Sequence, residues 1–234
     1  MKEAEFDKFV SDYRLLHTSN IRLSGEDPDY FAGYKVKDAY CELKENSKPT
    51  EGLTILDFGT GIGTSISYFL KIFQNPSLIC MDVSFESIKS ARKQYVNEPV
   101  DFILFDGTEI PLRQQSVDLV FAACVFHHID KNQHSLIINK FHKVLKNAGS
   151  LIIFEHNPLN PLTRHAVNTC PLDENAELIL GKKMRRRLLD GGFADTKLKY
   201  RIFFPKAVSR LRKLETYLTM LPIGAQYYVH GIKK

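Results

Sequence analysis

Short apolar runs alternate along this chain with longer stretches whose apolar residues recur at helical spacing. Uninterrupted apolar runs are typical of strands buried on both faces of a sheet, and spacings of three and four residues are typical of helices that bury one face. The predicted strands cover about residues 53–58, 77–82, 100–105, 117–122, 150–154, 195–204 and 225–232. The predicted helices cover about residues 63–74, 84–96, 132–146, 174–189 and 206–219. This alternation predicts an α/β fold with a doubly wound, mostly parallel, seven-stranded sheet.

The first 48 residues precede the first predicted strand and show a helical pattern. Five apolar residues recur there at helical spacing, namely Phe6, Phe9, Val10, Tyr13 and Leu16. A second helix is predicted over about residues 30–44. We interpret residues 1–48 as an N-terminal helical cap that belongs to the same domain as residues 49–234 and helps to cover a ligand.

Composition excludes several classes of protein. With 44% apolar and 25% charged residues, the chain has an ordinary globular composition. No apolar run approaches the roughly 18 residues of a membrane span, so none is expected. The charged first residues, MKEAEFDK, do not resemble a signal peptide, and a cytoplasmic location is therefore expected. A net charge of +5 permits an anionic substrate but does not indicate nucleic acid.

The four cysteines are widely spaced and form no C-x-x-C pair. They are Cys41, Cys80, Cys124 and Cys170. Buried reduced thiols are the expected state, and no metal site is predicted.

A glycine-rich turn follows the first predicted strand. The strand ends at Asp57, and Gly59, Gly61 and Gly63 follow at alternate positions before a helix begins. Glycine is needed where a turn requires positive φ or where a ligand lies on the backbone, and the following helix presents free N–H groups. The dinucleotide fingerprint G-x-G-x-x-G would require a glycine where this chain has Thr64, so a nicotinamide cofactor is disfavoured.

Acidic residues also end the second and third predicted strands. Asp82, followed by Val83, closes the second strand, where an acid can accept hydrogen bonds from ribose hydroxyls. Asp106 closes the third and can accept the amino hydrogens of an adenine, while Gly107 lets the backbone approach the ring. Together with Asp57 these acids predict a nucleoside site at the carboxyl edge of the sheet.

The acid followed by G-x-G-x-G resembles motif I of the class I S-adenosylmethionine (SAM) methyltransferases. Residues 117–129 resemble the fourth-strand segment of the small-molecule members of that family, and residues 141–154 resemble its following helix, turn and fifth strand. The resemblance covers residues 50–157 and departs at Ala148, where glycine is usual. It implies a Rossmann-like methyltransferase fold that binds SAM, with Thr60 and Cys124 among the cofactor-binding residues beside the acids and glycines above.

Three histidines follow predicted strands at the same edge. His127 and His128 follow the fourth strand, next to the expected methyl position, and Asp130 could orient one of them. His156 follows the fifth strand. A hydroxyl acceptor must lose a proton during methyl transfer, and histidine is the side chain best suited to take it near neutral pH. The sequence therefore nominates His128, His127 and His156 as catalytic residues.

The acceptor is less defined than the cofactor. The chain lacks the Asn/Asp-Pro-Pro-aromatic motif of nucleic-acid amine methyltransferases after its fourth strand, so nucleic acid is disfavoured. Residues 155–173, 200–205 and 222–228 resemble methyltransferases of bacterial polysaccharide and secondary-metabolite pathways, which implies a hydroxyl of a sugar or other metabolite. N- or C-methylation of a metabolite and a non-catalytic SAM-binding regulator remain alternatives, and the oligomeric state is open.

A dense basic run, Lys182 to Arg187, has two interpretations. With Lys197, Lys199 and Arg201 it could receive the phosphate of a phosphate-bearing acceptor, since arginine matches phosphate oxygens well. The second interpretation, the solvated face of a helix, is the one we favour.

Overall fold

The computed structural model describes residue 7 and residues 13–234. Three residues of the first predicted helix, Phe6, Phe9 and Val10, lie outside this part. The described chain begins with helix α1 (Tyr13–Asn20), a short 3-10 helix (Arg22–Ser24) and helix α2 (Pro28–Glu45). Helix α2 begins two residues earlier than predicted because Asp27 caps it, its carboxylate accepting the N–H of Tyr30 at 2.9 Å, and because proline suits a first helical turn.

Seven strands form one sheet, as the pattern predicts. They are β1 (Thr54–Phe58), β2 (Ser77–Asp82), β3 (Val100–Leu104), β4 (Val117–Ala123), β5 (Leu145–His156), β6 (Phe193–Arg201) and β7 (Gln226–Lys233). The spatial order is β3-β2-β1-β4-β5-β7-β6. The first five strands pair in parallel, while β7 lies antiparallel between β5 and β6. The predicted fold class is confirmed.

The positions of the helices after α2 agree with the predicted ranges in the first half of the chain and differ from them in the second half. They are α3 (Ile66–Ile72), α4 (Phe85–Gln94), α5 (His134–Val144), α6 (Pro161–Thr169), α7 (Gly181–Asp190) and α8 (Glu215–Leu218). Helix α6 was not predicted; Asn160 caps it by accepting the N–H of Thr163 at 3.0 Å.

Two other helix predictions need correction. The helix predicted over 174–189 begins only at Gly181, after a 3-10 turn over Pro171–Asp173. Most of the helix predicted over 206–219 is a 3-10 helix (Lys206–Leu214) that is kinked at Val208.

The sheet is covered on both faces, which explains its continuous apolar runs. Because side chains alternate along a strand, Ile55 packs with α2 and α3, whereas Leu56 and Phe58 pack with α5 and α7. All three are buried. This arrangement places the carboxyl ends of the parallel strands, and the turns that follow them, at one edge of the sheet.

Helix α2 is tied to the antiparallel end of the sheet by a buried carboxylate. Glu42 accepts hydrogen bonds from Tyr228 Oη (2.7 Å) and lies 3.2 Å from Nδ1 of His230, and it forms an ion pair with Lys199. Burial opposes ionisation of Glu42, but these partners hold its pKa well below the usual range. The predicted helical cap is therefore anchored to β6 and β7.

Two expectations about the surface can be compared with the structure. Cys80 and Cys170 are buried and Cys124 is partly buried, but Cys41 is exposed because it lies on the solvent side of α2. Within the part of the chain that is described, no helix combines the length and the apolar character needed to cross a membrane.

Candidate active site

A cavity of about 830 Å³ opens at the carboxyl edge of the sheet. Its walls come from the turn after β1, the ends of β2, β3 and β4, and helices α2 and α6. Open α/β sheets bind ligands at this edge. Twelve of the thirteen site residues that the sequence nominates line it; Gly63 does not. They are Asp57, Gly59, Thr60, Gly61, Asp82, Val83, Asp106, Gly107, Cys124, His127, His128 and His156.

The three glycines of the turn have positive φ but different surroundings. Gly59, Gly61 and Gly63 have φ of 74°, 55° and 83°. A Cβ on Gly59 would lie 2.4 Å from Cγ2 of Val125, and one on Gly63 would lie 2.8 Å from Cδ1 of Ile66. A Cβ on Gly61 would meet no atom within 4 Å. Gly59 and Gly63 therefore allow close packing, whereas Gly61 leaves open space where a ligand can reach the backbone.

Two buried carboxylates stand beside this turn. Asp57 accepts a hydrogen bond from Thr60 Oγ1 at 2.8 Å, and Asp82 accepts the backbone N–H groups of Gly61 (2.8 Å) and Ser84 (2.9 Å). Burial raises the pKa of Asp57 to about 7 and also raises that of Asp82. Each carboxylate therefore has lone pairs left that can accept hydrogen bonds from a cationic group or a hydroxyl of a ligand.

The third acid has a different setting. Asp106 is exposed, and its Oδ1 accepts the backbone N–H (2.8 Å) and the hydroxyl (2.6 Å) of Thr108, which lower its pKa. Gly107 has φ of 82°, and a Cβ added there would lie 3.8 Å from Cγ1 of Val83, an ordinary contact. Asp106 thus stabilises its own turn at the rim of the cavity and retains one carboxylate oxygen for a ligand.

Histidines and carboxylates converge at the ends of β4 and β5. Oε2 of the fully buried Glu155 lies 2.6 Å from Nδ1 of His127. On the other side, Oδ1 of Asp173 lies 3.5 Å from Nε2 of His127 and 3.4 Å from Nε2 of His128. We call His127, His128, Glu155 and Asp173 the histidine–carboxylate cluster.

The two histidines of the cluster differ in charge. Burial by itself would lower the pKa of His127, but Glu155 and Asp173 outweigh it and raise the pKa to about 10. Burial and the neighbouring charge of His127 lower the pKa of His128, and these two effects exceed the opposing effect of its hydrogen bond with Asp173. At neutral pH, His127 is therefore an imidazolium and His128 a neutral imidazole.

Four further polar side chains line the cavity beside this cluster, namely Lys35, Cys124, His156 and Gln226. Lys35 Nζ is 3.2 Å from Sγ of Cys124, and although burial raises the pKa of this thiol, Lys35 and His156 lower it to about 6. Nε2 of Gln226 lies 3.4 Å from Nδ1 of His156, and the hydroxyl of Tyr34 donates to the side-chain oxygen of Gln226. His156 is thus held at the cavity wall by a residue of the antiparallel strand β7.

Sequence reasoning missed several of these residues. Glu155 directly precedes His156, and an acid ending an apolar strand was the available signal for it. Lys35, Asp173 and Gln226 come from a helix, a loop and the last strand, and no local motif marks them.

Two interpretations of charged residues need correction. Asp130 does not orient a histidine: its Oδ1 accepts the N–H of Asn132 at 2.8 Å, and Glu155 and Asp173 contact the histidines instead. The cations assigned to a phosphate have other partners: Lys199 pairs with Glu42 and Glu45, Lys197 with Glu42, and Arg201 with Asp38.

The basic run itself lies on α7, away from the cavity. Arg186 pairs with Asp190 at 2.9 Å, and Arg185 donates to Thr196 Oγ1 at 3.2 Å. None of the residues from Lys182 to Arg187 lines the cavity. The structure therefore favours the solvated helix face over the phosphate site.

One group of side chains in the cavity has the composition of a metal site. One ligand atom from each of His127, His128 and Asp173 lies within 4.8 Å of the others. This set could hold a divalent cation, although the sequence predicts none. Contacts within the histidine–carboxylate cluster already hold all three side chains in place without a cation.

Residues 56–153 match the model of a methyltransferase domain family. These residues form a methyltransferase domain. This match confirms the resemblance to methyltransferases that residues 50–157 show in the sequence.

Similar proteins support this methyltransferase assignment. A malonyl-[acyl-carrier protein] O-methyltransferase from Priestia megaterium (strain DSM 319 / IMG 1521) is 30% identical over 129 residues, which cover 50% of this chain and 46% of that protein. The chain thus matches about half the length of this curated relative.

Solved methyltransferases show the same fold. A SAM-dependent methyltransferase from Thermotoga maritima matches with a TM-score of 0.68 and 19% identity, covering 98% of both chains. Phosphoethanolamine N-methyltransferase 2 from Haemonchus contortus, in complex with SAM, matches with a TM-score of 0.67 and 14% identity, covering 99% of this chain and 60% of that one.

We call the part of the cavity formed by the glycine turn and the ends of β2 and β3 the cofactor half, and the part formed by the histidine–carboxylate cluster the acceptor half. The side chains of the cofactor half fit SAM. The buried acid Asp57 suits the ammonium group of the methionine end, and Asp82 has lone pairs left for ribose hydroxyls. The open space at Gly61 allows a ligand to lie against the backbone.

Proposed function

We propose that this chain is a SAM-dependent methyltransferase that methylates a hydroxyl of a small-molecule acceptor, such as a sugar or other hydroxylated metabolite, with His128 as general base. One observation carries the proposal. A single cavity joins the glycine turn and its buried carboxylates to the histidine–carboxylate cluster. A methyl donor held at the first side faces a proton acceptor at the second.

The cofactor half is assigned from the fit of the residues. SAM supplies a methyl group on a sulfonium. We assign Asp57 to the ammonium of its methionine end, Asp82 to the ribose hydroxyls and Asp106 to the adenine amino group. The backbone of Gly59, Thr60 and Gly61 would form the floor beneath the ligand, as glycine turns do in related nucleoside sites.

The acceptor half supplies proton transfer and electrostatic support. With SAM bound as the methyl donor, the neutral imidazole of His128 would take the proton of the acceptor hydroxyl that receives the methyl group. The imidazolium of His127 lies between Glu155 and Asp173 and keeps Asp173 in place beside His128, where the Asp173 carboxylate stabilises the positive charge that His128 gains with the proton. Glu155 and Asp173 are positioning residues, because they hold the two rings and maintain the charge of His127.

The preference for oxygen over nitrogen rests on the cluster. The relative from P. megaterium is named as an O-methyltransferase and the H. contortus neighbour as an N-methyltransferase, so similarity does not choose between them. A hydroxyl gains most from a neutral base near neutral pH, whereas an amine that is already unprotonated can attack without one.

The experiment measures S-adenosylhomocysteine formed by the purified chain with SAM and a panel of sugars and hydroxylated metabolites. His128→Ala should lower turnover by roughly 10²–10⁴-fold and leave SAM affinity, measured by calorimetry, nearly unchanged. His165→Ala, at an exposed position of α6, is the matched control. Full turnover by His128→Ala would refute the assignment of the base.

Two further outcomes bear on the wider proposal. SAM binding without turnover on any acceptor would favour a regulatory protein, and NMR of a product would identify the methylated atom. Absence of any heat with S-adenosylhomocysteine would refute the whole proposal.

A further inference from the structure

Exposed apolar side chains are concentrated on one surface of the molecule. Of the fifteen large apolar side chains that are exposed in the described part of the chain, nine lie within residues 159–162 and 208–223. They are Leu159, Leu162, Val208, Leu211, Leu214, Tyr217, Met220, Leu221 and Ile223. A concentration of this kind marks an interaction surface, whereas single exposed apolar residues do not.

These two segments adjoin each other. Nδ2 of Asn160 donates to the carbonyl of Ile223 at 2.7 Å, and Nδ2 of Asn157 donates to the carbonyl of Pro222 at 3.1 Å. We call residues 159–162 and 206–223 the rim surface. It borders the mouth of the cavity, because Leu162 of the rim itself lines the cavity together with Pro205.

The rim surface is also basic. Lys206, Arg210 and Lys213 are exposed, and none of them forms an ion pair with another described residue. The single acid between 206 and 223 is Glu215, which is buried and accepts backbone N–H groups from residues 203 and 204. Arg212, the fourth cation of the rim, pairs with Glu26 at 2.7 Å. The rim therefore presents apolar groups and three cations without an ion pair to solvent.

The arrangement of these residues is amphipathic. In a 3-10 helix, residues three apart lie on the same face. Within Lys206–Leu214, Leu211 and Leu214 share one face, and Arg210 and Lys213 share the adjacent one. Apolar side chains flanked by cations are typical of segments that lie in the plane of an anionic membrane surface.

We propose that the rim surface docks on an anionic lipid bilayer, so that the mouth of the cavity faces the membrane. The apolar side chains enter the boundary of the acyl chains, and Lys206, Arg210 and Lys213 meet anionic headgroups. Each such cation contributes about fivefold to binding. The choice of lipid over an acidic protein rests on the in-plane amphipathic segment.

The test is flotation of this chain with two kinds of vesicle, phosphatidylcholine alone and phosphatidylcholine mixed with phosphatidylglycerol. We expect binding to the mixed vesicles only, weakened by added salt. Leu211→Glu and Leu214→Glu should each abolish most of it, and Arg210→Gln should reduce it about fivefold. Leu136→Glu on α5 and Lys93→Gln on α4, both exposed, are the matched controls and should bind normally.

Several outcomes would overturn the proposal. One is the absence of flotation by a chain that still unfolds cooperatively in urea. Another is equal vesicle binding by Leu211→Glu and the wild type. A third is a dimer in light scattering that Leu211→Glu dissociates and that does not bind vesicles. The last result would assign the rim to a second copy of the chain, and retention by an acidic protein alone would assign it to that partner. Vesicle binding needs no methyl transfer, so this proposal and the proposed function fail independently.

Discussion

Replacing Glu155 by glutamine tests the charge of His127 in a defined way. Oε1 of Glu155 accepts the backbone N–H groups of Val125 at 3.1 Å and Phe126 at 2.8 Å, and Oε2 faces Nδ1 of His127 at 2.6 Å. Glutamine can keep the first oxygen and its two hydrogen bonds. It removes the negative charge that faces the imidazolium. Glu155→Gln therefore isolates the ion pair from the rest of the turn.

The magnitude follows from the pKa of His127. The shift from the ordinary value of 6.5 to about 10 corresponds to about 5 kcal/mol, shared between Glu155 and Asp173. Removing one partner of a buried ion pair typically costs about 3–5 kcal/mol. We expect Glu155→Gln to lower the free energy of unfolding by about 3 kcal/mol at pH 6.5.

The pH dependence has a definite sign. The pKa of His127 is higher in the folded than in the unfolded chain, so its stabilisation is complete below about pH 6.5 and is lost as the pH rises through about 10. The difference in unfolding free energy between the wild type and Glu155→Gln should therefore shrink steadily over this range. Other titrating groups are present in both proteins and largely cancel.

The assay is urea unfolding of both proteins at pH 6.5 and pH 10. Glu215→Gln is the matched control, because buried Glu215 also accepts two backbone N–H groups, from Phe203 at 3.1 Å and Phe204 at 3.3 Å, but has no histidine partner among the described residues. The loss of unfolding free energy that Glu215→Gln causes should be nearly the same at both pH values. If the difference in unfolding free energy between the wild type and Glu155→Gln were also the same at both pH values, Glu155 would not be the group that raises the pKa of His127.

The remaining predictions concern the cofactor half of the cavity. In thermal unfolding, Gly59→Ala should destabilise the fold more than Gly61→Ala does. The Cβ added at position 59 would lie 2.4 Å from Val125. The Cβ added at position 61 meets no atom, so Gly61→Ala costs mainly the strain of positive φ, about 1–2 kcal/mol. Gly61→Ala should instead weaken SAM binding in calorimetry, and normal affinity would contradict a ligand lying on that backbone. Asp82→Asn should weaken SAM binding by about tenfold to a hundredfold, and an unchanged affinity would remove Asp82 from the ribose contact.

Much of the cofactor half could be predicted locally. Apolar runs predict β1, β2 and β4, and the residues that follow a parallel strand must lie at its carboxyl edge. Asp57, Gly61 and Asp82 therefore come together in a sheet that pairs β1 with β2 in parallel. Their positions depend on neighbouring residues in the chain and on one rule of topology.

The acceptor half could not be predicted in the same way. Asp173 reaches His128 across a loop and the unpredicted helix α6, and Gln226 reaches His156 only because β7 enters the sheet antiparallel beside β5. Lys35 reaches Cys124 from a helix that precedes the sheet. Such contacts depend on packing between segments far apart in sequence, which periodicity does not report.

The amino-acid sequence by itself determined the sheet, its glycine turn and the acids at the strand ends, because these follow from periodicity and from the backbone freedom of glycine. It also placed two adjacent histidines at the cavity. Only the tertiary structure decided that one of them is charged and the other neutral, because burial and the carboxylates of Glu155 and Asp173 act on His127 and His128 through space.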